Sequence, residues 1–190
     1  FGSGYCLLND LAVTAAWALH TGRASRVLVI DCDVHQGDGT ADIFQGDPDV
    51  FTFSLHSEKN YPVRKVPSHL DIGLADGTSD EVYLAVLEEV LPDLLRQGPW
   101  DVVFFNAGVD PYSGDRLGRL SLSREGLCRR DRYVIETVRK AGVPLAGVLG
   151  GGYSTDIDEL ADRHVTLHRT AKAVMAEEIT IIAANEQVAG

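Results

Sequence analysis

The chain has 190 residues and a hydrophobic fraction of 45%, enough for one domain with a substantial core. Its net charge of −11 argues against direct nucleic-acid binding, which needs clustered Lys and Arg, whereas a lysine-bearing peptide or a polyamine would be attracted. No apolar stretch is long enough to span a bilayer, and Cys6, Cys32 and Cys128 form no CxxC pair, so neither a membrane span, a zinc finger nor a disulfide framework is expected, and a reducing, cytoplasmic setting is.

In chain order, residues 7–20 read as a helix with Leu8, Leu11, Ala12, Ala15 and Leu19 on one face and Asn9 or Asp10 near its start. Residues 26–31 read as a buried strand and 38–44 as a short helix stopped by Gly46-Asp47-Pro48. Residues 50–55 are the next strand, and 57–80 an irregular stretch with a short strand over Leu70–Leu74. Ser79 and Glu81 open a helix that runs to Arg96 and ends at Gly98-Pro99. A strand over 101–107 follows, then a helix over 123–140 capped by Ser123 and closed by Gly142 and Pro144. The last strand covers 143–149 and a final helix 157–176, with 179–190 as a tail. Alternating strands and helices predict an α/β fold: a parallel sheet with helices on both faces, in three layers.

Three of these strands end in residues that carry chemistry. The first runs into Asp31-Cys-Asp33-Val-His35-Gln-Gly-Asp38-Gly39. Asp33 and His35 are two apart, so an extended backbone turns both to one side, as half of a zinc site needs. Asp31 shares that side and can support the ligands. Taken alone, the stretch is equally a strand ending in a polar turn. The second strand runs into Asn106-Ala-Gly-Val-Asp110, where Asp110 can supply a third ligand. Two Asp and one His leave a tetrahedral position open, the layout of a catalytic metal, and Fe²⁺ would be accepted as well as Zn²⁺. The third ends in Gly150-Gly151-Gly152-Tyr153. These glycines, Gly151 among them, allow a sharp turn and close approach of a substrate, and Tyr153 offers a hydroxyl to a developing oxyanion. The plain alternative there is a flexible loop with a packed tyrosine.

Taken together these stretches resemble the histone deacetylase superfamily, in the arginase/deacetylase fold. The resemblance rests on Gly2-Ser-Gly-Tyr-Cys6, Asn9-Asp10, residues 31–39, Thr52-Phe-Ser-Leu-His56, Tyr61-Pro62, residues 106–118 and Gly150-Gly-Gly-Tyr153, in family order. Gln36, Asn106-Ala-Gly108 and Gly114-Asp-Arg-Leu-Gly118 are similar to the class IV branch and its bacterial relatives. The family carries a His-His dyad shortly before the Gly-Tyr-Cys region, a point that precedes Phe1. The expectation is therefore the C-terminal portion of a deacetylase domain, residues 1–178, followed by the tail 179–190.

The resemblance implies roles residue by residue. Asp33, His35 and Asp110 would hold Zn²⁺, and Tyr153 would donate to the oxyanion. Asp38 and Asp31 would be the partners of the two dyad histidines, although Asp38 could equally be a helix N-cap. Backbone carbonyls of Asp31, Asp33 and His35, with Ser54 and Leu55, would hold a structural K⁺. Gly4 and Tyr5 would form one side of an acyl-lysine channel, Tyr61 the facing aromatic and Leu117 its rim. His56 would pack or hydrogen-bond near the site; His20, His69, His164 and His168 have no evident partner. The activity implied is metal-assisted hydrolysis of an acyl-lysine amide. An acetylpolyamine or other small-molecule amidohydrolase differs only in loops, and a non-catalytic acyl-lysine binder is the reading without the dyad. A binuclear manganese ureohydrolase needs an extra Asp-x-Asp, and Gly108 stands where its first carboxylate would be.

Overall fold

The computed structural model describes the backbone of residues 4–189 and the side chains of residues 4–180. Phe1, Gly2 and Ser3 of the N-terminal motif and Gly190 of the expected tail lie outside the described residues. The elements are α1 (Asp10–His20), β1 (Val27–Asp31), α2 (Asp38–Ile43), β2 (Val50–Ser57), β3 (Leu70–Leu74), α3 (Asp80–Arg96), β4 (Val102–Asn106), α4 (Arg124–Lys140), β5 (Leu145–Val148) and α5 (Ile157–Ala189). The five strands form one all-parallel sheet in the order β3-β2-β1-β4-β5. This is the expected α/β architecture.

Strand alternation builds the three layers. Leu28 and Ile30 of β1 and Val103 and Phe105 of β4 join one core with Leu87 and Leu91 of α3 and Val134 and Val138 of α4. Their neighbours Val27, Val29 and Phe104 turn the other way and meet Leu11, Ala12, Ala15 and Ala18 of α1. Burying each such side chain is worth about 1.5–3 kcal/mol relative to exposure. α1 is set one notch differently from expectation. Leu8 precedes the helix and is exposed, Leu19 is only partly buried, and Ala18 takes the buried place, because small residues let α1 lie close to the sheet.

Caps are placed as the side chains dictate. Asn9 Oδ1 accepts the Ala12 N–H at 2.9 Å, and Ser123 Oγ accepts the Gly126 N–H at 2.9 Å. Pro92 lies inside α3, where it cannot donate to the Glu88 carbonyl; the Tyr133 hydroxyl of α4 donates to that oxygen at 3.3 Å. Asp38 is corrected as an N-cap: Gly37 occupies the cap and Asp38 is the first helical residue. The final helix does not stop at residue 176. It runs to Ala189, through most of the expected tail, with Arg132 and Arg139 of α4 bonded to Glu177 and Glu178. Among the described residues, no helix is long and apolar enough to cross a membrane.

Candidate metal centre

Asp31, Asn106 and Val148 stand in register at the C-terminal ends of β1, β4 and β5, three adjacent strands. Parallel sheets gather their sites at this edge. The chain continues in near-ladder pairing past the strands: Cys32 N–H donates to the Asn106 carbonyl at 3.0 Å, Ala107 to Val148 at 3.0 Å and Val109 to Gly151 at 2.7 Å. Asp33, Asp110 and Gly151 are thereby brought to one place.

His35 Nδ1 lies 2.9 Å from Asp33 Oδ1 and 3.0 Å from Asp110 Oδ2. One donor atom from each of the three residues fits within 4.8 Å of the others. Both carboxylates are buried, Asp110 completely, while His35 is partly exposed. Their second oxygens are taken by backbone: Val34 N–H donates to Asp110 Oδ1 at 2.8 Å and Gly151 N–H to Asp33 Oδ2 at 2.6 Å. A Cβ on Gly151 would overlap the Asp110 carboxylate, so only glycine lets this backbone approach.

Burial and close charges move these groups from their ordinary titration ranges. Burial first, then the Asp33 charge, pushes Asp110 up to about 8. Burial works against a charged His35, but hydrogen bonds to Asp110 and Asp33 outweigh it and lift it to about 10. One imidazole nitrogen cannot donate fully to two carboxylates. A dication accepted by all three groups satisfies the same atoms, and the two-oxygen, one-nitrogen donor set suits Zn²⁺ or Fe²⁺.

Asp31 supports the site and does not join it. Its Oδ1 accepts from Asp33 N–H and from Asn106 Nδ2, both at 3.0 Å, and its carboxyl packs on Gly37. Burial and the Asp33 charge push it up to about 7. Asp38 acts on the Lys65 ammonium across the loop. Ser54 stands opposite Asp31 in register, next to fully buried Leu55, and its hydroxyl bonds His56 Nδ1 at 2.9 Å. His56 is buried within β2 rather than at its end. His69, expected without a partner, bonds Thr52 Oγ1 through Nδ1 at 3.0 Å and stacks on Phe51.

An open groove of about 430 Å³ is lined by Tyr5, Arg116, Leu117 and Tyr153, and it adjoins the metal residues through Tyr153. The Tyr153 ring stands edge-on to His35 with centroids 6.0 Å apart, and Tyr5 lies 5.9 Å from Tyr153. Gly4 and Tyr5 both have positive φ, 57° and 65°, a conformation that costs a non-glycine residue about 1 kcal/mol or more. Of the residues expected to form a channel, Tyr5 and Leu117 line this groove, with the Tyr153 ring beside Tyr5. Tyr61, about half exposed, sits in a loop fastened to the rim, where Asn60 Nδ2 donates to the Leu117 carbonyl at 2.6 Å.

Several organising residues were given no structural role from the sequence. Asp115 accepts from Tyr153 N–H at 2.7 Å, Leu117 N–H at 2.9 Å and Gly118 N–H at 3.0 Å, and meets fully buried Arg163. It ties the Tyr153 loop to the cavity rim. Gln36 exchanges hydrogen bonds with the backbone of Val66 and reaches Asp71 at 2.8 Å. The His164 imidazole packs against Gly152. The only sequence signal was the compact Gly114-Asp-Arg-Leu-Gly118 turn, which marks Asp115 as a turn organiser.

A family profile described as the histone deacetylase domain matches residues 2–168. An uncharacterized protein of a Picosynechococcus strain is 52% identical over 174 residues, covering 92% of this chain and 58% of that protein. Histone deacetylase 2 of Arabidopsis thaliana is 32% identical over 155 residues, covering 80% of this chain and 40% of that protein. Among solved structures, the HDA15 HD domain superposes with a TM-score of 0.72 at 25% identity, over 92% of this chain and 52% of that one. An acetylpolyamine aminohydrolase from Burkholderia pseudomallei superposes with a TM-score of 0.74 at 24% identity, over 90% and 52%, and shares the fold. The chain thus spans about half the length of the relatives it matches.

Proposed function

From the premise that the chain belongs to the histone deacetylase family, we propose that it carries the metal-binding and oxyanion-binding half of a zinc-dependent deacylase acting on acyl-lysine in proteins. The observation that carries this reading is the convergence of Asp33, His35 and Asp110, with the Tyr153 ring edge-on to His35. Bound Zn²⁺ supplies a Lewis acid and an acidified water. Asp33, His35 and Asp110 hold it, and the Gly151 N–H keeps Asp33 turned inward. Burial, followed by the charges of Asp33 and Asp110, keeps the Tyr153 hydroxyl protonated far above neutrality. It therefore donates to the amide oxygen as that oxygen gains charge. Tyr5 and Leu117 flank the lysine stem. Fe²⁺ suits the same donors, and K⁺ on the carbonyls of Asp31, Asp33 and His35, with Ser54 and Leu55, belongs to the same proposal.

Arg116 favours a protein lysine over a polyamine. It lines the cavity, and the neighbouring Asp115 carboxylate is occupied by three backbone N–H groups and Arg163, leaving the guanidinium charge to repel a polycation. A positioned base contributes about 10²–10⁴ in rate, so exogenous imidazole is included in the assay. The test is hydrolysis of an acetyl-lysine peptide and of N-acetylputrescine by the zinc-loaded chain with imidazole present. Faster cleavage of the peptide supports the reading. Preference for the polyamine overturns the substrate assignment, and tight peptide binding without cleavage under any condition supports a binding module instead.

A further inference from the structure

Two carbonyls near the metal residues lie beyond the last ladder positions of their strands. Cys32 follows the end of β1 and precedes Asp33; Gly108 follows the end of β4 and precedes Val109-Asp110. A buried carbonyl without a donor is costly. Both are met by one group: Arg130 Nη1 of α4 donates to the Cys32 carbonyl at 3.1 Å and to the Gly108 carbonyl at 2.6 Å. Arg130 has no exposed surface, and its guanidinium lies 5.9 Å from the centre of the Phe105 ring. It is paired with the equally buried Asp131, Nη2 to Oδ1 at 2.8 Å and Nε to Oδ1 at 2.9 Å.

A buried ion pair adds little net stability compared with apolar residues of the same volume, so its presence needs another explanation. The two carbonyls it joins belong to the segments that carry Asp33 and Asp110. Those segments touch there, since a Cβ on Gly108 would overlap the Asp33 carboxylate. The planar guanidinium, oriented by Asp131, therefore fixes how far apart the two ligand-bearing backbones sit. We propose that Arg130, held by Asp131, is a positioning residue that sets the Asp33–Asp110 separation and thereby the affinity of the metal centre. This rests on Asp33, His35 and Asp110 forming one metal site.

The test uses the whole chain, with Zn²⁺ titrated against a chromophoric chelator and thermal melting recorded on metal-free protein. The double variant Arg130→Met/Asp131→Leu removes both charges and keeps the volume apolar. It should stay folded without metal but melt lower than the wild type, because the Cys32 and Gly108 carbonyls lose their donor, and it should bind Zn²⁺ about 10–100-fold more weakly, the usual range for loss of a group behind the ligands. Arg130→Lys keeps the charge and one donor direction and should recover part of that loss. Unchanged Zn²⁺ affinity in the double variant overturns the proposal. So does loss of the fold in the double variant, because the pair would then serve the core and not the site. Wild-type protein that binds no Zn²⁺ at all would instead remove the metal centre on which the proposal stands.

Discussion

The two ends of the β1–β4 pair use the same residue type in opposite ways. At the N-terminal end, Asp101 is exposed and accepts the N–H groups of Ser25 at 2.6 Å and Arg26 at 2.9 Å. Those donors hold its carboxyl below the ordinary aspartate range. Arg26 lies over the Trp100 ring at 4.5 Å and completes a closed, solvated lock. At the C-terminal end, Asp31, Asp33 and Asp110 are buried together, and burial with mutual repulsion pushes Asp31 and Asp110 up. A carboxylate with enough donors is a fastener. Asp31 and Asp110 are pushed up despite their donors, because burial and the Asp33 charge outweigh them, so the difference lies in burial and neighbours rather than in residue identity.

The contrast is broken most strongly at Tyr153. Tyr153→Phe in an active preparation should keep zinc and the melting temperature and lower turnover by about 10²–10³, since only the donated proton is lost. Steady-state kinetics beside elemental analysis reads both; unchanged turnover would place the oxyanion donor elsewhere. Gly151→Ala comes next. Its Cβ would push on the Asp110 and Asp33 carboxylates and should weaken Zn²⁺ binding by about tenfold or more, measured by chelator competition. The smallest effect belongs to the other end of the sheet. Asp101→Asn should leave zinc affinity unchanged and cause a modest, pH-dependent loss of stability. Because the folded-state pKa is depressed, the contribution of the charge is complete above the unfolded value near ~3.9 and is lost as pH falls through the lower folded value. Urea melts of both proteins at neutral and acid pH check this; a stability difference that persists at the lowest pH would contradict it.

The strand ends were legible because an apolar run followed by an acid or by glycines leaves few alternatives, and β1, β4 and β5 did prove adjacent. What was not legible depends on distant partners. Nothing local in Arg129-Arg130-Asp131-Arg132 reveals that Arg130 meets a carbonyl 98 residues away. Arg163 is hidden for the same reason. Spacing alone also cannot separate Asp31 from Asp33 as a ligand; only the pairing with Asn106 shows that Asp31 is already occupied. The contact between the Tyr5 and Tyr153 rings was equally hidden, since it joins residues 148 positions apart and goes with a positive φ at Tyr5. α5 also passes the point where periodicity fades, and its pairing with α4 through Glu177 and Glu178 depends on residues about 40 positions away that local sequence does not reveal.

The central claim, that the crowded end of the sheet is a metal centre, is tested most directly by zinc stoichiometry. Elemental analysis of the chain should find one Zn²⁺ per molecule in the wild type. It should find none in Asp33→Ala or Asp110→Ala, each folded as judged by circular dichroism. Full zinc retention in both variants would contradict the account.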